Sequence, residues 1–250
     1  MASKLPLGLL RYAYAKAAND YLRSLPLEHF MESTPQATQR KITLESFDLV
    51  HARRPDVHLF NELLVQFPKR GRHRPAQVVP DNMVVVWDGP IEAVGSYDVP
   101  FQPVRPFWVF EYVSPSNERK DYEDSFEKYE RLKVPYYLVF YPDSQDLTLF
   151  HHQGEKYISK KPNRRGRLAI SELEMEVALL DGWVRYWYQG ELLPLPADLH
   201  RDLDETRRQL AEAKRVAEAE QQGRLAAEQE VARLRAEVEQ LRSRRDGGTN

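Results

Sequence analysis

Two carboxylates adjoin segments apolar enough to bury them. Asp81 follows Pro80 and opens Asn82-Met83-Val84-Val85-Val86-Trp87, while Glu111 lies inside Phe107-Trp108-Val109-Phe110-Glu111-Tyr112-Val113. If the second segment is a strand, alternation puts Trp108, Phe110 and Tyr112 on one face, and Val109, Glu111 and Val113 on the other. Glu111 then interrupts an apolar face, and a charge there is costly unless it is paired or coordinates a cation. Two chemistries satisfy that requirement: a salt bridge to a core arginine, or coordination of a cation. The chain has no cysteine, which excludes disulfides, thiolate zinc sites and cysteine nucleophiles and leaves oxygen or imidazole ligands, a set that favours hard cations. Glu62, in Phe60-Asn61-Glu62-Leu63-Leu64-Val65, is a further acid at the start of an apolar run. His151-His152 is no metal pair, because neighbouring strand residues point to opposite faces. No Gly-rich phosphate-cradling loop is present.

The elements that must position these residues follow from periodicity and turn residues. A helix is expected over Leu9–Leu25, with Leu10, Tyr14, Ala17 and Tyr21 on one face and Pro26 ending it. Strands are expected at Phe60–Phe67, Met83–Trp87 and Phe107–Val113. Ser114-Pro115-Ser116-Asn117 then offers an N-cap for a charged helix over Asn117–Leu132, which presents Lys120, Asp121, Glu127, Lys128 and Tyr129. Tyr136–Tyr141 and Leu147–His151 read as strands joined by Pro142-Asp143-Ser144-Gln145, followed by short strands at Lys156–Ser159, Arg167–Ile170 and Gly182–Tyr188. This order implies an α/β fold with a central mixed sheet flanked by helices.

With 250 residues, 42% of them hydrophobic and 30% charged, the chain fits one globular domain with an appendage. The composition changes near Pro194-Leu195-Pro196. From His200 to Arg245 there is no proline and one glycine, Gly223. A heptad register collects Leu203, Leu210, Ala217, Arg224, Val231 and Val238 at one position, and Thr206, Ala213, Glu220, Ala227, Leu234 and Leu241 three residues later. Nine of these twelve are apolar, the signature of a long helix or coiled coil, here of the Val-Leu kind that favours two parallel strands. The alternative is a solvated single helix. The expected organisation is an N-terminal helical extension at 1–39, the α/β domain at 40–194, a coiled-coil helix at 199–245 and a disordered tail at 246–250.

No apolar run approaches the roughly 20 residues of a membrane-spanning helix, and no signal-peptide core is present, so a soluble, cytoplasmic protein with no membrane partner is expected. The formal charge of -2 provides no global pull on nucleic acid, so binding would need a local patch. Lys69, Arg70, Arg72, His73 and Arg74 form one candidate, and Lys160, Lys161, Arg164, Arg165 and Arg167 another. Solvated loops are the bland reading of both.

Four signatures occur in order: Pro80-Asp81-Asn82-Met83-Val84-Val85-Val86; Val109-Phe110-Glu111-Tyr112-Val113-Ser114-Pro115-Ser116-Asn117; Tyr129; and Val134-Pro135-Tyr136-Tyr137-Leu138-Val139-Phe140-Tyr141-Pro142. Together, over about residues 40–190, they resemble the Uma-type putative restriction endonuclease family, which is similar to the PD-(D/E)XK nucleases. The resemblance implies a restriction-endonuclease-like fold and a Mg²⁺- or Mn²⁺-dependent DNA endonuclease. Asp81 and Glu111 would be the catalytic acids and metal ligands, helped by the Tyr112 carbonyl. The lysine that often follows the second acid by two residues is replaced by Val113. In relatives that move it to the next helix it stands four residues before the equivalent of Tyr129, where this chain has Ser125. Lys128, about 60° round the helix axis from Ser125, is the expected substitute, with Lys120 the lesser one. Glu62 is expected as a third ligand or supporting group, and Gln66 and Tyr129 as further neighbours of the site. Lys69, Arg70, Arg72 and Arg74 would bind DNA phosphates, and the coiled coil would form a homodimer suited to cutting two strands. The rival expectation is a catalytically weak nuclease-fold scaffold that recruits a partner through its coiled coil. A third is a metal enzyme acting on another phosphoester.

Overall fold

The computed structural model of the protein describes residues 6–25, 33–69, 74–113 and 119–246, excepting the side chains of 119–123 and 241–246. Two helices, α1 (Leu7–Ser24) and α2 (Thr34–Arg53), precede β1 (Val57–Asn61), β2 (Leu64–Phe67), β3 (Ala76–Val78), β4 (Asn82–Val86), β5 (Ser96–Asp98) and β6 (Trp108–Tyr112). After α3 (Arg119–Leu132) come β7 (Tyr136–Tyr141), β8 (Asp146–Gln153), β9 (Lys156–Ser159), β10 (Leu168–Ile170), β11 (Met175–Leu180), β12 (Trp183–Tyr188) and β13 (Glu191–Leu192). A 51-residue helix, α4 (Pro196–Asp246), closes the described chain.

A six-stranded mixed sheet runs in the order β1-β4-β6-β7-β8-β9. Its one parallel pair is β6 and β7, and α3 lies between them in sequence, since parallel neighbours need a long crossover. A second, antiparallel sheet takes the order β10-β11-β12-β13, and a small third sheet the order β3-β2-β5. Trp108, Phe110 and Tyr112 of β6 enter one core with Ile42, Phe47 and Val50 of α2 and Ile170, Val177 and Tyr186 of the second sheet. Val109 enters the other with Val65, Val78, Tyr97, Tyr129 and Leu132, and Val113 packs against it. The alternation expected for β6 therefore holds, and both faces of the central sheet are covered.

The sequence did not lead us to expect α2. Ser33 caps it, its side chain accepting from the Gln36 amide at 3.4 Å, and Pro35 occupies the first turn. Its buried residues, Gln39, Ile42, Thr43, Ser46, Phe47 and Val50, recur with helical spacing, but half are polar, so hydrophobic periodicity is weak. Two of those polar residues, Gln39 and Thr43, have partners on β12. Gln39 accepts from the Val184 amide at 2.9 Å and donates to the Val184 carbonyl at 3.1 Å, while the Thr43 and Tyr186 hydroxyls lie 2.8 Å apart. The boundary expected between 39 and 40 falls inside this continuous helix.

A single strand over Phe60–Phe67 is also corrected. β1 ends at Asn61 and β2 starts at Leu64 in a different sheet, with Glu62 between them at φ +50°. One left-handed residue redirects the chain. β3, β5 and β13 are additional short strands and β11 an additional six-residue one; the other expected strands agree to within a residue or two of their ends.

Residues 1–195 form one compact unit and 196–250 another. In the second, α4 carries ion pairs at i, i+3 and i, i+4 spacing, including Arg201–Asp198, Arg215–Glu212, Arg224–Glu228 and Arg233–Glu230. Leu203, Leu210, Val231, Leu234 and Val238 are about half exposed along it. The tail expected at 246–250 lies outside the described residues beyond Asp246. No described helix is long and apolar enough to cross a membrane.

Candidate active site

The antiparallel register of β4 and β6 sets Asn82 opposite Phe110, which brings Asp81, just before β4, against Glu111 on β6. The Asp81 amide donates to Glu111 Oε2 at 3.4 Å, and the Tyr112 amide donates to Asp81 Oδ2 at 2.6 Å. From α2, Gln36 Nε2 donates to Asp81 Oδ1 at 3.5 Å. From α3, the buried Tyr129 hydroxyl donates to Glu111 Oε1 in a short hydrogen bond. Both carboxylates are partly buried, each fixed by a different helix and both by β6.

Burial raises the Asp81 carboxyl from 3.8 to about 6; the Tyr112 amide and Arg40 pull it down, and Glu62 pushes it up. Burial, then the negative charge of Asp81, hold Glu111 well above the ordinary carboxylate range, against the Tyr129 hydrogen bond. Two acids that resist joint ionisation in a shared space have what a divalent cation relieves. Among the described residues no group of three or more His, Asp or Glu side chains gathers for a metal. The two carboxylates and the adjacent Tyr112 carbonyl would offer a cation oxygen ligands only. That set fits Mg²⁺ or Mn²⁺, with Mg²⁺ retaining several waters.

The remaining expected residues divide. Glu62 forms a close ion pair with Arg40 of α2. Lys128 Nζ lies 2.6 Å from Asp124 on its own helix. Tyr129, the next residue, faces Glu111, so Lys128 leaves α3 about 100° away from the acids; the rotation of α3 explains why the structure does not bring it to them. Ser125 is partly buried one turn before Tyr129, and the Lys120 side chain lies outside the described residues. Lys69 is exposed, and Arg74 Nη2 lies 3.3 Å from Asp20; Arg70 and Arg72 lie outside the described residues. Gln66 is buried, donating to the Tyr14 carbonyl at 3.1 Å and to Asp98 at 2.8 Å. His151 stacks on Tyr136 while His152 Nε2 lies 3.1 Å from the Glu130 carbonyl, so the two rings diverge.

Sequence reasoning missed Gln36 and Arg40. They stand one turn apart on α2 and line a small cavity with Asp81, Asn82, Phe110 and Tyr112. The available signal was Ser33-Thr34-Pro35, a helix start, rather than any apolar pattern.

No curated protein matches the chain. Among solved structures it is similar to a putative nuclease belonging to DUF820 from Anabaena variabilis ATCC 29413. That match has 15% identity and a TM-score of 0.44, covering 57% of this chain and 75% of that one. The Uma2 family model, described as "Putative restriction endonuclease", matches residues 30–180. That span is more than half of the 250 residues and contains Gln36, Arg40, Asp81, Glu111 and Tyr129, so the chain belongs to the Uma2 family.

Proposed function

We propose that the protein is a divalent-cation-dependent DNA endonuclease in which Asp81 and Glu111 hold the cation. The observation carrying this reading is the close, partly buried Asp81–Glu111 pair, held by backbone and tyrosine donors, in a chain of a restriction endonuclease family. When bound, Mg²⁺ supplies a water of lowered pKa and charge neutralisation for in-line attack on a phosphodiester. The protein's part is positional. Tyr112 N–H and Gln36 hold Asp81, Tyr129 holds Glu111, and Phe110 and Tyr112 border the cavity on its apolar side. Lys69, Arg70, Arg72 and Arg74 contact phosphates, and α4 pairs two copies so that each active site cuts one strand.

The test is cleavage of supercoiled and single-stranded DNA with Mg²⁺ or Mn²⁺. Wild type cuts, whereas Asp81→Asn and Glu111→Gln do not. A folded wild type that neither cuts nor takes up Mn²⁺ in calorimetry overturns the reading. Replacing Lys69, Arg70, Arg72 and Arg74 with alanine flattens the salt dependence of DNA binding, and an unchanged slope removes that segment. The second reading, a catalytically weak scaffold, is favoured by the Lys128–Asp124 pair. Lys128→Ala separates the two roles of that lysine, since cleavage falls only if it leaves Asp124 to serve the site.

A further inference from the structure

The cavity in front of Asp81 is bordered by a cation from α2, the helix on the opposite face of the sheet to α3. Arg40 follows Gln36 by one helical turn on α2, and both side chains line the space in front of Asp81 and Tyr112. Its side chain is 22% exposed, and that of Glu62, with which it forms an ion pair, is 51% exposed. Glu62 is held at the left-handed residue between β1 and β2, its amide donating to the Asp81 carbonyl at 3.2 Å. The side chain that pairs with Arg40 is thus anchored to the same backbone as the acid. Meanwhile α3 places Ser125 one turn before Tyr129 and commits Lys128 to Asp124.

We propose that Arg40 is the phosphate-binding residue of this site and that Glu62 occupies its guanidinium as a stand-in anion until a phosphodiester replaces it. The inference rests on the phosphodiesterase reading of the Asp81–Glu111 pair. A guanidinium presents the same planar fork to carboxylate and phosphate, so an exposed carboxylate is readily exchanged for a phosphate that also satisfies the neighbouring cation. Arg40 then fixes the phosphodiester beside the acids, and Glu62 sets a threshold against weaker anions.

The experiment is fluorescence anisotropy of a labelled DNA duplex, with Ca²⁺ in place of Mg²⁺ so that binding is read without cleavage. The full chain is compared with Arg40→Gln, Arg40→Lys and Glu62→Gln, alongside melting curves and Mn²⁺ calorimetry. Arg40→Gln is expected to weaken binding about tenfold or more, the loss of a charge-assisted hydrogen bond. Arg40→Lys falls between Arg40→Gln and wild type, and Glu62→Gln tightens binding because its competing charge is gone. These opposite signs are the signature. A pair that serves only the fold gives weaker binding and lower melting temperatures in both Arg40→Gln and Glu62→Gln, and that result overturns the proposal. Unchanged affinity in all variants, with Mn²⁺ uptake intact, overturns the role of Arg40 while leaving the acid pair standing. Failure of wild type to take up Mn²⁺ removes the underlying reading.

Discussion

At the scale of single residues, the acid pair places a cost on the metal-free fold that depends on pH. Asp81 retains its proton to about pH 6 when folded but releases it near 3.8 when exposed. Its favourable contribution is therefore complete below 3.8 and is lost as pH rises through 6. Metal-free Asp81→Asn should gain melting temperature relative to wild type between about pH 4 and pH 7. A difference that stays constant with pH would contradict this. If the ionised pair holds the cation as proposed, adding Mg²⁺ above that window should stabilise wild type and not the variant. Tyr129→Phe removes the donor to Glu111. It should lower Mn²⁺ affinity about tenfold to a hundredfold, as loss of a ligand's supporting hydrogen bond does elsewhere, with the fold intact by circular dichroism. Asp81 and Glu111 could be found in the sequence because a carboxylate joined to an apolar strand stands out by residue type. Arg40 could not, because an arginine near a helix start has no such contrast, and its role depends on where α2 lies.

At the scale of elements, α2 shows how a polar face can pack. Gln39 satisfies both main-chain groups of Val184 on β12, so Gln39→Ala leaves a buried N–H and C=O unpaired and should cost about 2 kcal/mol in denaturant unfolding. Gln39→Glu should not rescue it, because a carboxylate cannot donate to the carbonyl. A search for apolar stripes misses such a helix, which is why α2 was not expected while β6, with strict alternation, was legible to within one residue at each end. The break at Glu62 was hidden for a different reason. Left-handed backbone is normally marked by glycine or asparagine, and a glutamate inside an apolar run gives no warning. The orientation of α3 was equally inaccessible, since Lys128 and Tyr129 are adjacent in sequence and only packing decides which of them faces β6.

For the whole molecule, the appended helix and the α/β unit make separable predictions. If α4 pairs two copies, replacing Leu234 and Val238 by lysine should convert a dimer to a monomer in sedimentation, while the α/β unit keeps its melting temperature. A wild-type monomer at micromolar concentration would remove the pairing. The heptads were readable because the spacing of Val231, Leu234 and Val238 needs no tertiary context. Within the α/β unit, β6 contributes alternate side chains to two cores, so neither core can melt while the other persists. The amides of β6 and β7 should therefore exchange with deuterium only through global unfolding and set the ceiling of protection for the unit. A substitution deep in either core, far from Asp81, then changes how many folded molecules a cell holds rather than the geometry of the acid pair in each one.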